Sequence, residues 1–157
     1  MRTIPAADEE AVARYVAAAG EPHATMRALA VRLSGLVLLA TLDSRDVHPF
    51  AETLASAGEV LAEAEDTLRA IAPPPACRHH LHHLLTAVAM LRRAAAEIDD
   101  HRVLVRRPAL ADACKAPLDE AIAHLRHAAR LLPHFEMVDL GSACCAWHEG
   151  LAPVALV

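Results

Sequence analysis

The chain has 157 residues and a formal net charge of −5 at pH 7, with 55% hydrophobic but only 3% aromatic residues. That length fits one domain with a single core, stable without a disulfide or a structural metal. Ala and Leu supply more than a third of the residues, Gly is scarce, and no alternating β-branched or aromatic run occurs, which excludes β-sandwich, β-barrel and Gly-loop nucleotide folds. Lys115 is the only lysine and the net balance is acidic, so no basic surface for nucleic acid is expected.

Five helical stretches are predicted. The first covers about 6–19, with Asp8, Glu9 and Glu10 near its N-terminus, where the helix dipole favours negative charge, and Gly20 as its stop. It reads as a short extra helix within residues 1–20. The second covers about 22–42, with Met26, Leu29, Leu33, Leu36, Val37 and Ala40 on one stripe; Leu38, Leu39 and Leu42 fall outside it, so the helix is expected to be covered on more than one side. Its apolar run from Leu33 to Leu42, bracketed by Arg32 and Asp43, is about half the ~20 residues that cross a bilayer.

The third helix follows Asp46, with Pro49 in its first turn, and ends before Pro73, Pro74 and Pro75. Phe50, Leu54, Ala57, Leu61, Ala64, Leu68 and Ile71 step by four and three along it, the heptad seam of a helix packed nearly antiparallel to its neighbours. The fourth covers about 76–100, with Cys77, Leu81, Leu84, Leu85, Val88, Leu91, Ala95 and Ile98 predicted to face the core and a His-rich face opposite. The fifth covers about 109–132, with Leu118, Ile122, Leu125, Ala129 and Leu132 as its stripe and Pro117 as a kink or a start.

Short links between helices of this length predict an all-α, up-down-up-down four-helix bundle over 21–133. Residues 134–157 lose the helical period but keep Phe135, Met137, Val138, Leu140 and Trp147, so they are expected to fold back as an irregular tail on the same single domain, 1–157. The acidic start offers no export signal. A cytoplasmic protein with four reduced cysteines is the expectation.

Chemistry is concentrated in two segments. Cys77-Arg-His-His-Leu-His-His83 places four histidines in five positions, and His79 and His83, four apart, have the spacing at which two imidazoles on one helix face hold a Zn, Cu or Ni ion. His80 lies nearer the core edge, three residues from Cys77, while His79 and His83 are expected to point away from the core. Cys144-Cys-Ala-Trp-His148 gathers Cys144, Cys145 and His148, soft ligands suited to Cu(I) or Zn. A weaker flank on the fifth helix carries Glu120, His124 and His127, which reads more simply as a solvated face.

Comparison with known bundles narrows the chemistry. Ferritin-like carboxylate proteins pair Glu-x-x-His motifs, and none occurs here. Hemerythrin-like bundles use His-x-x-x-Glu and His-x-x-x-His; His48 to Glu52 and His79 to His83 are similar, but His48 precedes Pro49 at a helix start, and membership is not assigned. A stretch at His83 loosely resembles a histidine phosphotransfer module but lacks its following Lys and Gly. No nucleophile elbow is present, so catalysis is not the expected role. The sequence thus points to a small binding protein holding a transition metal through His79, His83, His80, Cys77, Cys144, Cys145 and His148, in one site or two. The alternative is a cofactor-free interaction or dimerisation module with a homodimer or protein partner. A metal site requires at least three donors converging within about 2.0–2.3 Å of one point.

Overall fold

A computed structural model describes residues 6–42, 48–98, 108–132 and 134–135. They form four α-helices: α1 (Ala6–Thr41), α2 (His48–Ala70), α3 (Arg78–Glu97) and α4 (Pro108–Leu131), with a 3-10 turn at Pro75–Cys77 leading into α3. No strand occurs among the described residues. Helix α1 packs on α2, α2 on α3, α3 on α4 and α4 on α1, and α1 also reaches α3 across the middle. This ring of neighbours makes the all-α domain a helical bundle.

Each helix buries a seam that advances by alternating steps of three and four. On α2 it is Ala57, Leu61, Ala64 and Leu68; on α4 it is Cys114, Leu118, Ala121, Leu125 and Ala128. That spacing keeps one face turned to a neighbour over several turns, as bundle packing requires. Removing one large member, such as the fully buried Leu61, Leu91 or Leu125, would cost about 2–5 kcal/mol. Between α2 and α3 the prolines end one helix and start the next. Pro74 is extended, at φ −60° and ψ 156°, and the Cys77 N–H donates to the Pro74 carbonyl at 2.8 Å. The two helices are also tied by charge: the Glu65 carboxylate accepts from Arg69 on its own helix at 2.7 Å and from Arg92 on α3 at 2.6 Å. Those guanidinium hydrogen bonds, Arg69 first, hold its carboxyl below the usual range.

The break predicted at Gly20 is absent, and residues 6–19 are not a separate helix. Helix α1 runs for 36 residues through Gly20 and Pro22. Its buried seam is Tyr15, Ala19, Met26, Leu29, Leu33 and Leu36, with the buried Pro22 in register between them. An interior proline forfeits one backbone hydrogen bond and clashes with the preceding turn, at about 3 kcal/mol. Burial of Tyr15, at 2% exposure, and the fully buried Ala19 and Met26 offsets that cost, since one large apolar side chain contributes about 1.5–3 kcal/mol. The expected coverage of α1 holds in part. The helix is covered by α2, α3 and α4 and Leu39 packs against the core as expected, but Val31, Leu38 and Leu42 are 63%, 58% and 67% exposed among the described residues. His134 and Phe135 are the described part of the tail, the first exposed and the second buried; the rest of the expected packing of 134–157 lies outside the described residues.

An added Cβ at Gly20 meets nothing within 4 Å. Gly20→Ala should therefore raise stability by about 0.5–1 kcal/mol in urea or thermal unfolding, because it reduces the freedom of the unfolded chain at no native cost. Destabilisation by this substitution would show that α1 is interrupted there.

Candidate functional site

Helix α3 begins directly after the proline run, and its first turns carry all four clustered histidines. Its buried seam is Cys77, His80, Leu84, Ala87, Leu91, Ala94 and Ile98, rotated from the predicted one, with Leu81 and Leu85 only partly buried. The rotation carries His80 and His83 inward, at 1% and 9% exposure, and leaves His79 and His82 outside. His83 therefore does not point away from the core as expected. The turn brings His80 to Tyr15 on α1 and His83 to His124 on α4, and buries Ala87 and Ala94 on the same face.

His83 is the hub of the wetter of two histidine clusters. Its Nδ1 lies 2.7 Å from Nδ1 of His124 on α4, and its Nε2 lies 3.2 Å from Nε2 of His79. The His127 ring stands 4.7 Å away, centre to centre, and the His82 ring 5.7 Å. A neutral imidazole has one N–H and one lone pair. His83 thus donates to one partner and accepts from the other, forming a directional His79–His83–His124 chain. Burial, and then the positive charge that His79, His124, His127 and His82 would carry, lower its pKa and favour the neutral form. The flank on α4 that looked solvated is so only in part: His124 is half-buried against His83, while Glu120 and His127 are exposed.

The second cluster is dry. The Tyr15 hydroxyl and His80 Nδ1 are 2.7 Å apart, with the two rings edge to face. Phe135, 1% exposed, packs its ring 4.3 Å from that of His80 and 5.1 Å from that of His23 on α1. His23 is 3% exposed, and the Nε2 atoms of both histidines are buried without a hydrogen-bond partner. Burial pushes both imidazoles down to about 4, helped at His23 by the Arg27 charge and at His80 by His23 and His83. Burial, with the Cys77 thiol nearby, raises the phenol of Tyr15. Cys77 and Cys114 are buried free thiols, and burial raises both, so they stay protonated.

The predicted ligands do not gather into one centre. His79 and His83 meet, His80 faces the dry cluster, Cys77 is a core residue, and Cys144, Cys145 and His148 lie outside the described residues. Among the described residues no group of three or more His, Cys, Asp or Glu side chains is arranged to hold an ion at one point, because the two ring nitrogens of His83 face different partners. Of the hemerythrin-like spacings, Glu52 is exposed, and His79 and His83 meet one turn apart on α3. Sequence reasoning missed Tyr15 and His23. Both were legible once the seam was carried through Gly20, since 15, 19, 23 and 26 share a helix face. The chain matches no family model, no curated protein and no solved structure. Fold and side chains alone define it, as an all-α bundle with histidine clusters on its inner helix faces.

His23 supplies a pH prediction. Its pKa is about 4 when folded and near 6.5 when unfolded, so between those values the unfolded chain binds the extra proton and stability rises with pH. Stability should fall by up to about 3 kcal/mol as pH drops from 6.5 to 4. Urea midpoints across that range should show a shallower slope for His23→Gln than for the parent, and equal slopes would contradict a buried neutral His23.

Proposed function

We propose that the protein is a small helical-bundle binding protein that holds a divalent transition metal ion, Zn, Cu or Ni, at the His79, His83, His124 and His127 cluster. One observation carries this: two imidazole Nε2 atoms one helical turn apart, His79 and His83, stand 3.2 Å from each other. Two nitrogens each bound at about 2.0–2.1 Å to a tetrahedral ion span nearly that distance. The facing helix brings His124 and His127 to the same ring. As the cluster stands its donors do not converge, so uptake of an ion between His79 and His83 by all four rings would require the His83–His124 bond to break and the His124 and His127 rings to turn toward it. Because every ligand must be neutral, affinity would fall below the pH at which imidazoles protonate.

The rival role, a cofactor-free interaction module, draws support from the exposed Val31, Leu38 and Leu42 on one side of α1. It predicts a dimer that Leu38→Glu with Leu42→Glu converts to a monomer in light scattering.

Calorimetric titration of chelator-stripped protein with Zn(II) and Ni(II) tests the metal assignment. One ion per chain is expected. His79→Ala with His127→Ala should weaken binding by at least about a hundredfold, or about 2.7 kcal/mol, while apo stability falls by no more than about 1 kcal/mol, since His79 and His127 are exposed and water can replace His79 at His83 Nε2. His83→Ala should also lose apo stability, since it removes a buried partner of two hydrogen bonds. Equal affinity in parent and double variant, or no uptake by either, would overturn the assignment.

A further inference from the structure

Resting on the metal reading above, we propose that the His79 and His83 pair is one half of a shared site. When Zn(II) is limiting, a single ion joins two copies of the chain through His79 and His83 of each.

The pair is a two-donor unit that the helix itself assembles. His79 and His83 lie one turn apart on α3, with their Nε2 atoms 3.2 Å from each other and their rings 4.5 Å apart, edge to face. Bonds of about 2.0–2.1 Å from these two atoms to one ion meet near the tetrahedral angle. Only the exposed His79 ring has to turn to aim both lone pairs at the ion. Zn(II) takes four donors, and among the described residues no third His, Cys, Asp or Glu side chain is arranged to join these two.

The bond behind His83 decides where the missing donors come from. An imidazole that binds a metal through one nitrogen almost always anchors the other, which fixes the ring and its tautomer. His83 has that anchor: with the ion on Nε2, its Nδ1–H donates to Nδ1 of His124, 2.7 Å away on α4. Recruiting His124 as a ligand breaks this bond, whereas the pair of a second copy leaves it intact in both. Orientation agrees. The Nδ1 edge of His83 faces the half-buried His124, and its Nε2 edge faces the exposed His79, so the two donors open toward the surface. Two such pairs, related by a two-fold axis through the ion, supply four imidazole nitrogens. Mass action then sets the stoichiometry: limiting Zn(II) favours the four-nitrogen ion between two copies, and excess Zn(II) gives each copy its own ion and separates them. The one-per-chain limit of the calorimetric titration is the second of these states.

Light scattering during Zn(II) addition tests the sharing. The chelator-stripped full chain carries Leu38→Glu and Leu42→Glu, so that the outer face of α1 makes no contact between copies. Molar mass should double at half an equivalent of Zn(II) and return to the monomer value in excess. Adding His79→Ala, at an exposed position, should weaken the Zn(II)-dependent dimer by at least a hundredfold. On the parent chain, X-ray absorption at half an equivalent should count four nitrogen neighbours around zinc. A monomer at every ratio despite uptake, a dimer that survives His79→Ala, or zinc with fewer than four nitrogen neighbours would overturn the shared site and leave the one-ion-per-chain reading standing. No uptake at any ratio would overturn both.

Discussion

Burying His80 and His83 obliges the bundle to bring a polar partner to each from another helix. A buried imidazole nitrogen without a hydrogen bond costs about 1–3 kcal/mol, a large part of the margin by which a domain of this size is stable. Tyr15 on α1 answers His80, and His124 on α4 answers His83. Apolar packing alone tolerates small rotations of a helix about its axis; these two bonds do not, because each spans only 2.7 Å. They therefore set how α3 is turned relative to both α1 and α4. The remaining seam positions, from Leu84 to Ile98, take up their burial as a consequence.

The same requirement explains why α1 is long. Tyr15 lies in the part of α1 that precedes Gly20 and Pro22, and only a helix continuing through both residues carries its ring to His80 while Leu29, Leu33 and Leu36 stay in the core. The proline costs backbone energy locally, and the fully buried Ala19 and Met26 on either side of it make the continuous helix the better solution. Local signals and tertiary packing oppose each other at this point. Packing prevails because the seam spans more residues than the break.

The two histidine clusters differ in one physical respect, access to water. Around His83 the partners are exposed or half-buried, and His79 and His124 share hydrogen bonds with it. Around His80 and His23 the wall is Phe135 and aliphatic carbon, burial holds both rings neutral, and charge is costly. One short segment of α3 feeds both clusters because residues three apart on a helix face neighbouring helices.

Much of this was legible in the sequence: the all-α class, the four-three seam of α2, the proline boundary before α3, and the placing of His79 and His83 one turn apart; on α4 the seam runs through Ala121 and Ala128, one residue before the expected Ile122 and Ala129, which are only partly buried. The rotation of α3 was not legible, because treating histidine as polar moves the apparent apolar face toward Leu81 and Leu85 and away from the buried Ala87 and Ala94. Nor was the half-buried place of His124 or the role of Tyr15, since nothing in one helix says what another brings to it. Composition and period by themselves determined which segments are helical, because those signals act within a turn or two of the chain. Which histidines are inside and which residues meet them was decided only by the tertiary structure, because burial is a property of the space between helices, where contacts join residues 41 and 65 positions apart.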